Sequence, residues 1–409
     1  MSIISAGWGA GPSARHADLS ARFQPLFQRV RAGAIEREVQ RRLPVEELDW
    51  LKAAGFTALR LPVEHGGAGV TLPELFALLI ELGEADSNLV QALRGHMGFV
   101  EGLLNSDDPA RRSRWFARIA AGETIGPASS EVGDARRAEF STRVRREGDA
   151  LLLSGTKFYT TGSLYADWID VGATDEAGNR VMVTVRRDAP GVEVVDDWNG
   201  FGQTLTASGT ATFTNVRVEP ADVVAVGERF RYSPGFFQVF HLANLAGLGR
   251  AMSSEVAAAV AARTRTRTFT IGNADRVSQD PQVLAVVGQV RSAAYCAGVI
   301  ALKNAEALQR VHDLRQTDDQ AAEDRAVALA ELEVCQSLNV VSDLIIEASG
   351  RLFDALGASA TLRPQGLDRF WRNARTLASH NPRIYKDRIV GDFAVNGTPP
   401  PPQWKIGVA

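Results

Sequence analysis

Cysteine is nearly absent from this chain, with two thiols, Cys296 and Cys335, in 409 residues. Both sit in alanine-rich helical sequence, where a small buried thiol is expected. A disulfide framework and a cysteine-based zinc site are thereby excluded. A dominant charge is missing as well: Lys and Arg number 45 against 48 Asp and Glu, a net charge of −3. That balance provides no broad positive field for nucleic acid. The six histidines, His16, His65, His96, His241, His312 and His380, never fall in the i, i+4 pairs that zinc enzymes use. There is no GxSxG elbow and no phosphate-cradling P-loop, so hydrolysis through a known nucleophile motif is unsupported. No apolar run approaches the roughly 20 residues of a membrane span, and the N-terminus lacks the basic-then-apolar pattern of a signal peptide. These absences predict a soluble, cytoplasmic protein of two or three folding units.

What is present is a change of period along the chain. From about Ala17 to Ala121 apolar residues recur every three or four positions in LSARFQPLFQRV, VEELDWLKAAG and LPELFALLIELGEA, which predicts helices. Pro44 and Pro73 fit first-turn positions, Gly55 and Gly83 fit helix ends, and Gly66, Gly67 and Gly69 mark a loop. After ETIGPASSE the period falls to two, in STRVRREGDALLLSGTKFYTTG, ADWIDVGAT, NRVMVTVRR, GVEVVDDW and SGTATFTNVRV. Short strands of an antiparallel sheet or barrel follow from that alternation. From Phe236 onward long alanine-rich helices return, of the kind that form bundles and associate into oligomers. The expected division is an N-terminal helical domain over 1–121, a central β domain over 122–225, and a C-terminal helical bundle with a tail over 226–409.

Five strings in register, LPVEHGGAG, ASSE, LSGTKFYTTG, FTNVRV and LDRFWRNAR, resemble segments of the acyl-CoA dehydrogenase superfamily over about residues 20–395. The resemblance implies an α+β fold: helical domains on either side of a central antiparallel β domain. Within that superfamily, LDRFWRNART, HNP and GDFAVNGTPPP are similar to the two-component, flavin-dependent monooxygenases, the group of the dibenzothiophene and dimethylsulfone-pathway enzymes. DWNGFGQTLTASGTATF and TRTRTFT followed by DPQVL resemble the same group. Dehydrogenases that desaturate acyl-CoA commonly carry a glutamate shortly after an RDAR-like string, because an unactivated α-proton needs a carboxylate base. Aligning WRNARTLASHNPR on that string puts Asn381 at the glutamate position, and an amide cannot accept that proton.

What the monooxygenase resemblance implies is specific. Reduced flavin arrives from a separate NAD(P)H:flavin reductase, reacts with O2 to a C4a-hydroperoxyflavin, and passes one oxygen to a small organic substrate at sulfur, nitrogen or an electron-rich ring carbon. Reduced FMN is the expected cofactor, with FADH2 as the alternative and O2 as co-substrate. The expected assembly is a homotetramer that shares flavin contacts between subunits, without metal, nucleic acid or membrane. Carried over residue by residue, the catalytic candidates are His96, His380 and Asn381. The cofactor candidates are Ser129, Ser130, Tyr159, Thr160, Thr161, Trp198 and Arg267, with Arg265 as the rival of Arg267. The chain departs from the group at three places: Gly126-Pro127-Ala128 replaces GNA, Leu377 replaces the first histidine of a pair, and Ser359 replaces a phosphate-binding arginine. Two other readings are an FAD-dependent acyl-CoA dehydrogenase or oxidase with a relocated glutamate, and a scaffold or regulator on a degenerate flavin fold. Met97, Phe99, Phe236, Phe237 and Phe240, at helical spacing, suit either core packing or an apolar, aromatic guest. The segment after Lys386 is expected to close over a site or a neighbour.

Overall fold

The computed structural model describes residues 7–131, 140–226, 229–263, 274–315 and 317–401. Helices α1 (Ala14–Ala32), α2 (Ala34–Gln40), α3 (Val45–Ala53), α4 (Leu72–Ala85), α5 (Ser87–Leu104) and α6 (Pro109–Ala120) precede the first strand. Their starts follow local chemistry. Thr71 and Glu74 form a reciprocal capping box with Pro73 in the first turn of α4, and Asp86 and Asp108 cap α5 and α6 with their carboxylates. Pro44 is the N-cap of α3, one residue ahead of the expected first turn. Gly83 lies inside α4 rather than at its end, because helix packing requires a glycine there. A Cβ at Gly83 would stand 3.3 Å from the Cα of Gly247, so the bare backbone lets a second helix approach.

The strands are β1 (Ile125–Ala128), β2 (Arg143–Glu147), β3 (Ala150–Lys157), β4 (Trp168–Thr174), β5 (Arg180–Arg186), β6 (Val192–Val195), β7 (Thr210–Val218) and β8 (Val223–Ala225). They form one sheet in the order β6-β7-β3-β2-β4-β5-β8, with β1 also paired to β4. The sheet is mixed, not wholly antiparallel as the period-two pattern suggested: β1 and β2 both run parallel to β4. Alternation reports which face of a strand is buried but not which strand lies beside it.

Helices α7 (Ser233–Ala261), α8 (Pro281–Leu314), α9 (Gln320–Leu356), α10 (Asp368–Ser379) and α11 (Lys386–Asn396) complete the chain. One continuous core joins the leucines of α4 to Phe236, Val239, Phe240 and Leu245 of α7 and to the apolar stripes of α8 and α9. A second core fills the sheet around Leu153, Ile169, Val171, Val183 and Phe213. A third ties helix to sheet, packing Val100, Leu103, Trp115 and Phe116 on Ile125 and Trp168. That third core fixes β1 against α5, where the candidate site lies.

Two expectations change. Cys296 is exposed on α8, whereas Cys335 is buried as expected. Helix α8 is long and apolar enough to cross a membrane by length and composition, contrary to the reading of the runs alone. Leu284, Tyr295 and Val299 are exposed apolar residues on that helix. Helix α11 is capped at its C-terminus by Gly397, which adopts a left-handed φ of +73°, and the described chain continues to residue 401.

Candidate active site

Strand β1 stops at Ala128, and the chain continues through Ser129 and Ser130. The Phe158 N–H donates to the Ser130 carbonyl at 2.9 Å, which lays this pair beside the turn that follows β3. The turn can approach only because two residues lack side chains. A Cβ at Gly126 would fall 2.3 Å from Ser163 Oγ, and one at Gly162, which has φ of +81°, would fall 2.1 Å from the Ala92 carbonyl oxygen. Ser163 Oγ then donates to the Pro127 carbonyl at 3.0 Å. Strand β1, the 159–163 turn and α5 are thus packed backbone on backbone.

The sequence-predicted cofactor residues separate into two kinds here. Tyr159 adopts a left-handed φ of +57° and exposes its ring, which stands 6.1 Å from the half-buried Trp198. Trp198 is held by its own Nε1–H, which donates to the Gly202 carbonyl at 3.2 Å, and by Arg41, which donates to its carbonyl at 3.0 Å. Thr160 is fully buried, and both its amide and its hydroxyl donate to the Gly209 carbonyl. Its side chain builds the turn and has no surface left for a ligand. Thr161 Oγ1 shares a 2.7 Å hydrogen bond with Ser208 Oγ. The hydroxyls of Ser129 and Ser130 and the amides of Tyr159 and Thr161 have no hydrogen-bond partner among the described residues. Uncharged donors along one edge fit the polar rim of a flavin ring. Arg265 and Arg267 lie outside the described residues.

His96, on α5, is occupied. Its Nε2 lies 2.9 Å from the Thr57 carbonyl, and its Nδ1 accepts the Ile125 N–H at 3.3 Å. These partners require the proton on Nε2. Burial pulls the imidazole pKa down to about 4, so the ring is neutral at physiological pH. Both nitrogens serve the backbone of β1 and of the turn at Thr57, which leaves no free ring nitrogen for the catalytic task expected from sequence.

Arg94 and Gly95 precede His96 on α5 and face different partners. A Cβ at Gly95 would meet the Pro127 ring at 2.4 Å, and one at Gly98 would meet the Phe237 ring at the same distance. Arg94 Nε donates to the Phe237 carbonyl at 3.4 Å, and its guanidinium lies 4.6 Å over the Phe237 ring. One turn further along α7 is His241, buried, with no partner on either ring nitrogen among the described residues. The ring of His380, the C-cap residue of α10, stands 4.5 Å from that of His241. His380 retains accessible surface, yet protein crowds it closely. Desolvation and the positive charge of Arg94 hold its pKa down to about 3, while a hydrogen bond with the Asn381 side chain acts in the other direction. The same two causes keep His241 well below the ordinary histidine value. The structure therefore brings His380 and Asn381 together, and joins to them Arg94 and His241, which sequence reading did not single out. A cation inside the apolar run NLVQALRGHMGFV and a histidine inside FHLANLAGLG were the available signals.

The motif strings themselves turn out to hold one another. The Gln203 N–H donates to Asn373 Oδ1 at 2.5 Å, and Arg372 donates to the Phe201 carbonyl at 2.9 Å. A Cβ at Gly202 would fall 2.1 Å from the Arg372 carbonyl oxygen. The GFGQ and WRNAR strings thus clamp the sheet to α10. Ser359 accepts from Arg263 at 3.2 Å. Met97, Phe236 and Phe240 are core, and Phe237 alone of the α7 phenylalanines is half-buried at the cluster. Two recesses of about 640 and 610 Å3 lie along α11 and beside His65 and Arg315, and neither is lined by these groups.

Residues 16–123 match the N-terminal domain of acyl-CoA dehydrogenase and residues 241–382 match its C-terminal domain. The chain is 28% identical to a dibenzothiophene monooxygenase of Rhodococcus erythropolis, over 92% of this chain and 93% of that protein. It is 26% identical to SfnC of Pseudomonas putida, a probable FMNH2-dependent monooxygenase, over 91% and 93% of the two chains. FMN-bound TdsC from Paenibacillus sp. A11-2 shares the fold with a TM-score of 0.83 at 27% identity, covering 95% of this chain and 99% of that one. With both helical ends matched and the sheet between them shared, the chain belongs to the acyl-CoA dehydrogenase superfamily, among relatives that are flavin-dependent monooxygenases.

Proposed function

We propose that this enzyme is a two-component monooxygenase that takes reduced FMN from a separate NAD(P)H:flavin reductase. The observation that carries the reading is the cluster at the end of α10. At the position where proton abstraction needs a carboxylate stands Asn381, and the charge that acts on its neighbour His380 is a cation, Arg94. No described carboxylate acts on His380, so a relocated base has no support there. Bound reduced FMN supplies the electrons that split O2, so that substrate, O2 and FMNH2 yield oxygenated substrate, FMN and water. FMN is preferred to FAD by the relatives' names and by the FMN-bound TdsC structure.

The protein's part is positioning and exclusion of water. Ser129, Ser130 and the amides of Tyr159 and Thr161 hold the flavin edge, Tyr159 and Trp198 wall it, and Arg265 or Arg267 takes its phosphate. His380 and His241, neutral at physiological pH, offer hydrogen bonds from uncharged imidazole on the substrate side. His96 acts as a positioning residue by fixing the start of β1. Asn381 orients His380 through their hydrogen bond. The exposed apolar residues of α8 and α9, among them Tyr295, Val299, Leu329 and Val340, suit the shared interfaces of a homotetramer.

The test has two arms, one anaerobic with thioesters and one in air with reductase. Protein loaded with FMN or FAD should keep its flavin oxidised when mixed with acyl-CoA thioesters, and should consume O2 only when NADH and a flavin reductase are added. Bleaching of the flavin by a thioester without reductase contradicts the proposal and supports a dehydrogenase.

A further inference from the structure

Among the described residues, Arg94 is a cation without a counter-ion. It is half-buried between α5 and α7, and no described carboxylate pairs with it. The charge that does act on it, Arg229, has the same sign, and burial with that repulsion brings its pKa down to about 9, so it stays charged at neutral pH. Asp170, a half-buried carboxyl that feels Arg111 and Arg229, is not among the charges that act on Arg94. Burial of an unpaired guanidinium is costly, and here the cost is repeated next door. His241 is 2% exposed with neither ring nitrogen bonded among the described residues, in contact range of His380. A buried polar group without a partner is uncommon, and His241 beside a half-buried guanidinium that no described carboxylate pairs with points to a ligand that completes both.

The chemistry of the ligand follows from the donors. A guanidinium presents parallel N–H groups that match two oxygens of a planar or pyramidal oxyanion. A neutral imidazole adds one further N–H. The Phe237 ring, held by its contact with Gly98, provides the apolar floor on which the rest of a small molecule lies. We propose that the substrate of this enzyme is an organic oxyanion, a carboxylate or sulfur oxyacid on a small apolar body, whose charged end binds between Arg94 and His241. The inference rests on the reading of this cluster as the substrate side of the flavin site, and it narrows the substrate to a charge class.

The test uses the full chain and two matched pairs of probes. Calorimetric titration with benzoate and benzenesulfinate is compared with their neutral counterparts benzamide and methyl phenyl sulfoxide. The anions should bind at least about tenfold more tightly, equivalent to about 1.4 kcal/mol. Arg94→Gln should abolish that preference while melting no lower than the parent without ligand, since it removes an uncompensated buried charge. Arg94→Lys, which keeps the charge without the fork, should retain part of it, and His241→Phe should weaken anion binding severalfold. Equal affinity for anions and neutral counterparts, or undiminished benzoate affinity in folded Arg94→Gln, overturns the inference. Its failure is distinct from that of the flavin reading. Oxygenation of neutral substrates without anion preference leaves the monooxygenase and removes the oxyanion site. Anion preference in a protein that does not use reduced FMN leaves the site and removes the monooxygenase.

Discussion

His96 and His241 are both buried, both neutral, and both carried on helices that pack on one another, yet they do opposite things with their nitrogens. His96 gives one to Thr57 and one to Ile125, so its hydrogen bonds are complete in the folded chain. His241 gives neither to a described residue, and it lies against His380, whose pKa is also depressed but whose side chain is exposed. A histidine with all its bonds made to backbone is part of the scaffold, whereas one left with bonds to make is part of a site. The two buried histidines therefore divide, His96 bonded to the backbone of β1 and His241 with no described partner on its ring nitrogens.

The sharpest way to break this division is to remove each imidazole and ask which property falls. His96→Ala strands the Thr57 carbonyl and the Ile125 N–H and leaves a cavity, at a cost of about 3 kcal/mol in denaturant unfolding. A variant as stable as the parent shows that the two backbone bonds contribute nothing. His380→Gln should keep stability and FMN affinity while lowering product formed per O2 consumed by about a hundredfold, or about 2.7 kcal/mol. Unchanged coupling removes His380 from the chemistry.

Acid provides a third contrast. The folded His96 pKa, about 4, is below the unfolded value of about 6.5. The unfolded chain then binds more protons between those values, so stability rises with pH there and is lost as pH falls. From pH 7 to 5 the loss from His96 alone is about 2 kcal/mol. Urea midpoints at the two pH values should converge in His96→Gln, and an unaltered slope in that variant contradicts the assignment.

Much of the fold is legible in the sequence because it is local. The capping box at Thr71 and Glu74, the apolar spacing in α4 and the alternation in β3 and β7 are written within a few residues. Strand order is not local, and the parallel pairing of β1 with β4 joins residues 43 apart, as in Ile125 and Trp168. The site shows the same limit. Ser129, Ser130, Tyr159 and Trp198 are proposed from the strings that contain them, but Thr160 lies in the same string as Tyr159 and turns inward to Gly209. His96 looks catalytic in sequence because its partner Thr57 lies 39 residues away. Arg94 shows its significance only when the structure leaves it without a carboxylate.

The most direct measurement of the central claim is a single turnover under 18O2, with photoreduced FMN, the enzyme and a panel of small aromatic and sulfur-containing substrates, analysed by mass spectrometry. One atom of 18O should enter the organic product and the other should leave as water, with slower flavin reoxidation than for free FMN. Reoxidation at the rate of free flavin, with all oxygen recovered as peroxide and none in any substrate, contradicts the account.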